Sequence, residues 1–165
     1  VRINTAPTSG YEDDVGSRTD ARVICGGLQM GCDTEWVSAL SGETLILYPT
    51  PEDVRKNAQR LTSADNSLRY LHGGAIEAWA QFLDKSPLEE RPTSGLYGAW
   101  FLSKIAKQVH LYGFGFFRSS GRAHYWDDPK TLNEDPAPGH DPEIEKAILE
   151  NMSGVAVKTE VSNEG

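Results

Sequence analysis

The sequence has no surplus of positive charge. Sixteen lysines and arginines stand against 24 aspartates and glutamates, a formal net charge of −8 at pH 7. That balance argues against nonspecific binding to nucleic acid or to anionic membrane. No apolar run approaches the about 18 residues that a membrane-spanning helix needs. No Gly-x-Gly-x-x-Gly opens a helix, and there is no Walker loop, no Gly-x-Ser-x-Gly and no Cys-x-x-Cys, which removes the commonest signatures of dinucleotide, phosphate-loop, serine-hydrolase and dithiol chemistry. Cysteine is scarce: Cys25 and Cys32 are the whole complement, too few to fix a redox compartment. No signal peptide is visible, but the chain opens at Val1 inside what reads as a strand, so residues of the natural protein are expected to precede it. Asn151-Met152-Ser153 is a glycosylation acceptor only in a secreted chain.

What is present is an alternation of strand and helix patterns over 165 residues, a length that predicts one domain, 1–165, with a core of its own. Residues 1–4 read as the end of a strand and 5–19 as a turn-rich loop, dense in Pro, Gly, Ser and Asp. Short apolar runs predict strands at 21–25, 44–48 and 66–72, and a closing one at 154–159. Helices are predicted at 51–61, at 74–83 with Ile76, Trp79 and Leu83 inward, and at 142–152 behind an Asp141 cap. Strands alternating with helices predict an α/β fold with a mainly parallel central sheet and helices on both faces.

The centre of this pattern is the stretch RPTSGLYGAWFLSKIAKQVHLYGFGFF, from Arg91 to Phe117. Its turn, Pro92-Thr93-Ser94-Gly95, has small residues that leave backbone N–H groups open. A helix follows, with Leu96, Ala99, Trp100, Ile105 and Ala106 expected on one face. Val109–Tyr112 is expected to be a fully buried strand near the middle of the sheet, ending at Gly113-Phe114-Gly115. Helix N-termini and the carboxyl ends of parallel strands are where such folds hold anionic ligands.

Two histidines stand out. His140 directly precedes the helix start Asp141-Pro142-Glu143, where partial positive charge disfavours imidazolium and so favours the neutral ring that a general base needs. His124 lies in a polar segment beside Tyr125 and Trp126, where it can donate a hydrogen bond to a phosphate; the alternative for each is an ordinary surface histidine. His72 and His110 sit in predicted strands and read as structural. Asp13-Asp14 and Asp127-Asp128 lack the spaced Asp-x-Asp form, so no metal site is expected.

These pieces together resemble one family. VRINTAPTSGYEDDVGSRT is similar to the second half of the large sialyl motif of eukaryotic-type sialyltransferases. RPTSGLYGAWFLSKIAKQVHLYGFGF resembles the small motif, His124-Tyr125-Trp126 the third, and His140 with Glu145 the very small motif His-x-x-x-x-Glu. The order and spacing match over nearly the whole chain. The resemblance implies a Rossmann-like variant of the glycosyltransferase A fold. It implies an inverting transfer of sialic acid from CMP-sialic acid to a glycan hydroxyl on a glycoprotein or glycolipid, with no metal and no cofactor. It also implies a Golgi-lumenal type II membrane protein, anchored through a segment outside this chain. By position His140 matches the catalytic base and His124 the histidine on the donor phosphate, while Asn4, Thr93, Ser94, Gly95 and Gly115 match donor-binding positions. The first half of the large motif would precede Val1. The small motif's usual cysteine is replaced by Ala106, so the family's motif-bridging disulfide is not expected. Arg91 stands where the family often has an aromatic residue. A CMP-Kdo-using transferase, or a nucleotide-binding module without activity, are the alternatives.

Overall fold

The computed structural model describes residues 1–24, 42–47, 67–69, 73–114, 125 and 139–158, and every strand pairing among them is parallel. Four strands form one sheet in the order β1 (Arg2–Ile3), β2 (Ala21–Ile24), β3 (Thr44–Leu47), β4 (Ser67–Arg69). Parallel neighbours cannot be joined by a tight hairpin, so each pairing implies a crossover connection, as the alternating sequence pattern predicts. Register is set by burial: Ile3 pairs with Val23 and Val23 with Ile46, and Val23 and Leu45 are fully buried.

Between β1 and β2 the expected loop contains one helical turn, α1 (Glu12–Val15). The Arg2 side chain gathers its end, donating to the carbonyls of Val15 and Gly16 at 2.7 Å each and to Thr19 Oγ1 at 2.9 Å.

Helix α2 (Gly73–Asp84) buries Trp79 and packs Phe82 and Leu83 against the same core. Helix α3 (Ser94–Ile105) departs from the one-face expectation. Five consecutive residues, Leu96 to Trp100, are buried, so its first half is enclosed all round. Ile105 is 67% exposed and Ala106 is also exposed. The difference follows from what covers the helix: Ile3 and Val23 lie against Gly98, and Trp79 lies 5.1 Å from Tyr97 and 5.0 Å from Trp100, ring centre to ring centre. All of these contacts fall on the first two turns. At Gly98 a Cβ would lie 2.9 Å from Ile3 Cδ1, so the missing side chain lets α3 approach β1 closely.

Strand β5 (Val109–Tyr112) corrects a second expectation. It is a strand and it is parallel, but its described partner is β6 (Val155–Lys158) in a separate two-stranded sheet. It is also not fully buried: Val109 and Leu111 are covered while His110 and Tyr112 are exposed. Val-His-Leu-Tyr alternates apolar and polar residues, the pattern of a strand with one covered face. Helix α4 (Pro142–Glu150) completes the described elements, burying Leu149 and Glu145 and packing on β6 and α3. No described helix is long and apolar enough to cross a membrane. The helix expected at 51–61, Cys25, Cys32 and His72 lie outside the described residues.

Candidate active site at the start of helix α3

Helix α3 begins at an N-cap that the sequence supplies locally. Thr93 is extended (φ −70°, ψ 158°) and its Oγ1 accepts the Leu96 N–H at 3.1 Å, while the Thr93 carbonyl accepts from Tyr97 N–H at 3.2 Å. Two distant segments then close on this cap.

The first is the end of β1. Asn4 has φ +47°, a left-handed conformation that asparagine tolerates better than most side chains. Its N–H extends the sheet ladder to Val23 O at 2.8 Å, and the chain turns there. The turn sends the side-chain amide across to α3, where Nδ2 donates to Ser94 Oγ at 3.3 Å.

The second segment is α4. Asp141 caps it, Oδ1 accepting from Ile144 N–H at 3.1 Å, with Pro142 in the first turn. One turn on, Glu145 points at α3: Oε1 accepts the Thr93 N–H at 2.7 Å and Oε2 accepts the Thr93 hydroxyl at 2.5 Å. The carboxylate is only 3% exposed, and burial raises its pKa above the ordinary glutamate value. The two Thr93 hydrogen bonds and the nearby His140 oppose that rise. A buried carboxylate is tolerated here because it is doubly hydrogen-bonded and faces the positive end of a helix dipole.

His140 lies one residue before this cap, its Nδ1 2.5 Å from the Arg91 carbonyl. A carbonyl oxygen only accepts, so Nδ1 carries the proton and, in the neutral ring, Nε2 keeps its lone pair. The contact thus orients the imidazole and sets the tautomer a base requires.

Asn4, Thr93, Ser94 and His140 are therefore brought to one turn, 91–94, from three separate parts of the chain. Gly95 follows in the first turn of α3 and lies under the Phe114 ring, whose nearest atom would be 2.9 Å from an added Cβ. The open N–H groups expected in the turn are partly taken, those of Thr93 and Leu96 by Glu145 and Thr93. Gly115 and His124 lie outside the described residues. Tyr125, next in the chain to His124, donates its hydroxyl to the Pro7 carbonyl and packs edge-on against Tyr11 at 5.1 Å between centroids. Burial raises its pKa above the ordinary tyrosine value. This ties Tyr125 to the loop that follows Asn4. Among the described residues no group of three His, Cys, Asp or Glu side chains could hold a metal ion.

The carboxylate of Glu145 and the guanidinium of Arg22, which holds the Asn4 carbonyl, are not among the site residues to which the sequence points. Glu145 had one signal, its spacing from His140; Arg22 had none beyond being a charge inside an apolar strand.

A helix start assembled from three segments, with an oriented histidine at its edge, defines a site suited to an anionic ligand and a proton transfer. The chain belongs to glycosyltransferase family 29, the sialyltransferases, whose family model matches residues 28–156. It is 27% identical to CMP-N-acetylneuraminate-beta-galactosamide-alpha-2,3-sialyltransferase 2 of Mus musculus, over 98% of this chain and 49% of that protein. It is 24% identical to the corresponding sialyltransferase 1 of Homo sapiens, over 94% of this chain and 48% of that protein. With beta-galactoside alpha-2,6-sialyltransferase 2 of Gallus gallus it shares 24% identity over 76% of this chain and 28% of that protein. The chain spans about half the length of the alpha-2,3 relatives it matches.

Proposed function

We propose that the protein containing this chain transfers sialic acid from CMP-sialic acid to a glycan hydroxyl with inversion, and that His140 is the general base. The acceptor oxygen attacks the anomeric carbon, the bond from that carbon to the CMP phosphate breaks on the opposite face, and the acceptor proton passes to His140 Nε2. The observation that carries this reading is the contact of Nδ1 with the Arg91 carbonyl, which leaves Nε2 as the basic nitrogen beside the start of α3. CMP would sit at that helix start, where the dipole and the N–H groups of Ser94 and Gly95 favour negative charge. Asn4, Thr93, Ser94, Gly95 and Gly115 make up the donor site in this reading. His124, on the same reading, donates to the phosphate of the leaving group.

The wider reading is a single sialyltransferase domain, incomplete in residues 1–165, on a Rossmann-like variant of the glycosyltransferase A fold. The all-parallel pairing of β1 to β4 supports this. Transfer needs no metal or other cofactor, and the enzyme works in the Golgi lumen as a type II membrane protein. The relatives' names support both donor and acceptor, since they pair CMP-N-acetylneuraminate with a beta-galactosamide.

The test is to incubate the full-length protein with CMP-sialic acid and with CMP-Kdo in parallel, offering galactose-terminated glycans and following CMP release. Turnover of CMP-sialic acid, unchanged by chelator, is expected. Preference for CMP-Kdo would keep the mechanism and change the sugar. Turnover of neither donor across a panel of acceptors would reduce the protein to a nucleotide-binding module.

A further inference from the structure

Arg22 is a charge buried in a strand. It lies on β2 beside Arg2 of β1 and is 3% exposed. Burying a guanidinium is costly, and well-packed apolar residues commonly match or exceed the stability of a buried ion pair. Its partners indicate what it does instead. Nε and Nη2 donate to the two oxygens of Glu43 at 2.7 and 3.0 Å, a fork that fixes the guanidinium plane. Nη1 then donates to two backbone carbonyls, Asn4 O at 2.7 Å and Ala6 O at 2.8 Å.

Those carbonyls flank the turn that begins at Asn4. A left-handed non-glycine residue is strained by about 1–2 kcal/mol, and such conformations persist where the surroundings over-determine them. Here both backbone groups of Asn4 are held by consecutive residues of β2: its N–H by the Val23 carbonyl and its C=O by Arg22. With the backbone pinned on that side, the side-chain amide is presented to Ser94 on the other.

We propose that Arg22, braced by Glu43, is a positioning residue for the donor nucleotide: it holds Asn4 in its left-handed turn so that the Asn4 amide faces the start of α3. The role rests on the donor reading above. Four of the five guanidinium N–H groups are engaged by Glu43, Asn4 and Ala6, so Arg22 acts through Asn4 and not by touching the phosphate. Lysine cannot replace it, because an ammonium has no planar fork to span a carboxylate and two carbonyls.

The experiment is a double-mutant cycle in the full-length protein, reading CMP affinity by calorimetry, donor and acceptor KM, and thermal midpoint. Arg22→Lys should weaken CMP binding and raise donor KM by about tenfold, leaving acceptor KM unchanged. Asn4→Gly keeps the turn conformation but removes the amide, and should cost a similar factor. In the Asn4→Gly background, Arg22→Lys should weaken CMP by no more than about twofold, because its effect runs through the missing amide. A lowered thermal midpoint with unchanged CMP affinity would make Arg22 merely structural and overturn the proposal; so would additive losses in the double variant. Should Arg22→Lys fail to fold, Glu43→Gln, which only loosens the fork, must still weaken CMP binding, and normal affinity there overturns the role. Wild-type protein that binds no CMP would sink the donor reading and this role together, whereas normal wild-type binding with an indifferent Arg22→Lys sinks this role alone.

Discussion

Helices α3 and α4 start with the same device and build it differently. At α4 everything is local: Asp141 caps Ile144 N–H, Pro142 fills the first turn, and Glu143 and Glu145 supply negative charge at the positive end of the dipole. At α3 the cap is local but the charge is not. Its own first turn has no acid, and the carboxylate facing its dipole is Glu145 of α4, 52 residues away. One side chain therefore serves two helix starts. The self-sufficient start needs nothing from the rest of the protein. The dependent one is where Asn4, Ser94 and the histidine converge, so the site exists only once β1, α3 and α4 are packed together.

The largest expected effect separates chemistry from capping at α4. His140→Ala should lower kcat by about 10²–10⁴-fold, as removal of a positioned base does, with little change in thermal midpoint because the half-buried ring caps no helix and makes its Arg91 contact at an exposed edge. Asp141→Ala, one residue along, should do the reverse. A His140→Ala enzyme within tenfold of wild type would remove the base from the mechanism.

Next in size is a comparison of the two caps by urea denaturation. Asp141→Ala should cost about 1 kcal/mol, the ordinary loss of an N-cap. Thr93→Ala should cost more, about 2–3 kcal/mol, because it loses the cap and also strips a buried carboxylate of one of its donors. Equal losses would mean that the Glu145 contact adds nothing to α3 beyond its local cap.

This contrast also marks how far the sequence was legible. Asp141 and its helix, the strand-forming runs at β1, β2, β3 and β6, and the turn before α3 were all readable, because spacing over a few residues decides them. The family's motifs point to Asn4, Thr93, Ser94 and His140 as candidates, and it is the structure that brings them to residues 91–94. What spacing does not contain is partnership across 52 or 90 residues. Nothing local to Thr93 names Glu145, and nothing local to Asn4 names Ser94 or Arg22. The misreadings have the same origin. Ile105 is apolar and correctly helical, but its exposure depends on where the cover from β1, β2 and Trp79 stops. Val109–Tyr112 is short and rich in large side chains, which suggests a fully buried strand, yet its alternation marks one open face.

The smallest expected effect is the pH dependence that Glu145 imposes on stability. Its proton affinity is raised in the folded protein, with burial the largest cause and the Thr93 hydrogen bonds and His140 acting against it. A carboxyl whose folded pKa lies above its unfolded one favours the folded state most when protonated. That contribution is fully present below the unfolded value, about pH 4, and is lost as pH rises through the raised folded value. Glu145→Gln keeps the shape and one acceptor for the Thr93 N–H but cannot titrate. The stability of wild type relative to Glu145→Gln should therefore fall from about pH 4 upward and level off once Glu145 is ionised in both states. Thermal midpoints of the two proteins across that range measure it, and ionisation of the other carboxylates cancels in the difference. The opposite slope would show that the hydrogen bonds from Thr93 and the charge of His140 outweigh burial, and that the borrowed carboxylate is held at the start of α3 by attraction strong enough to lower its pKa.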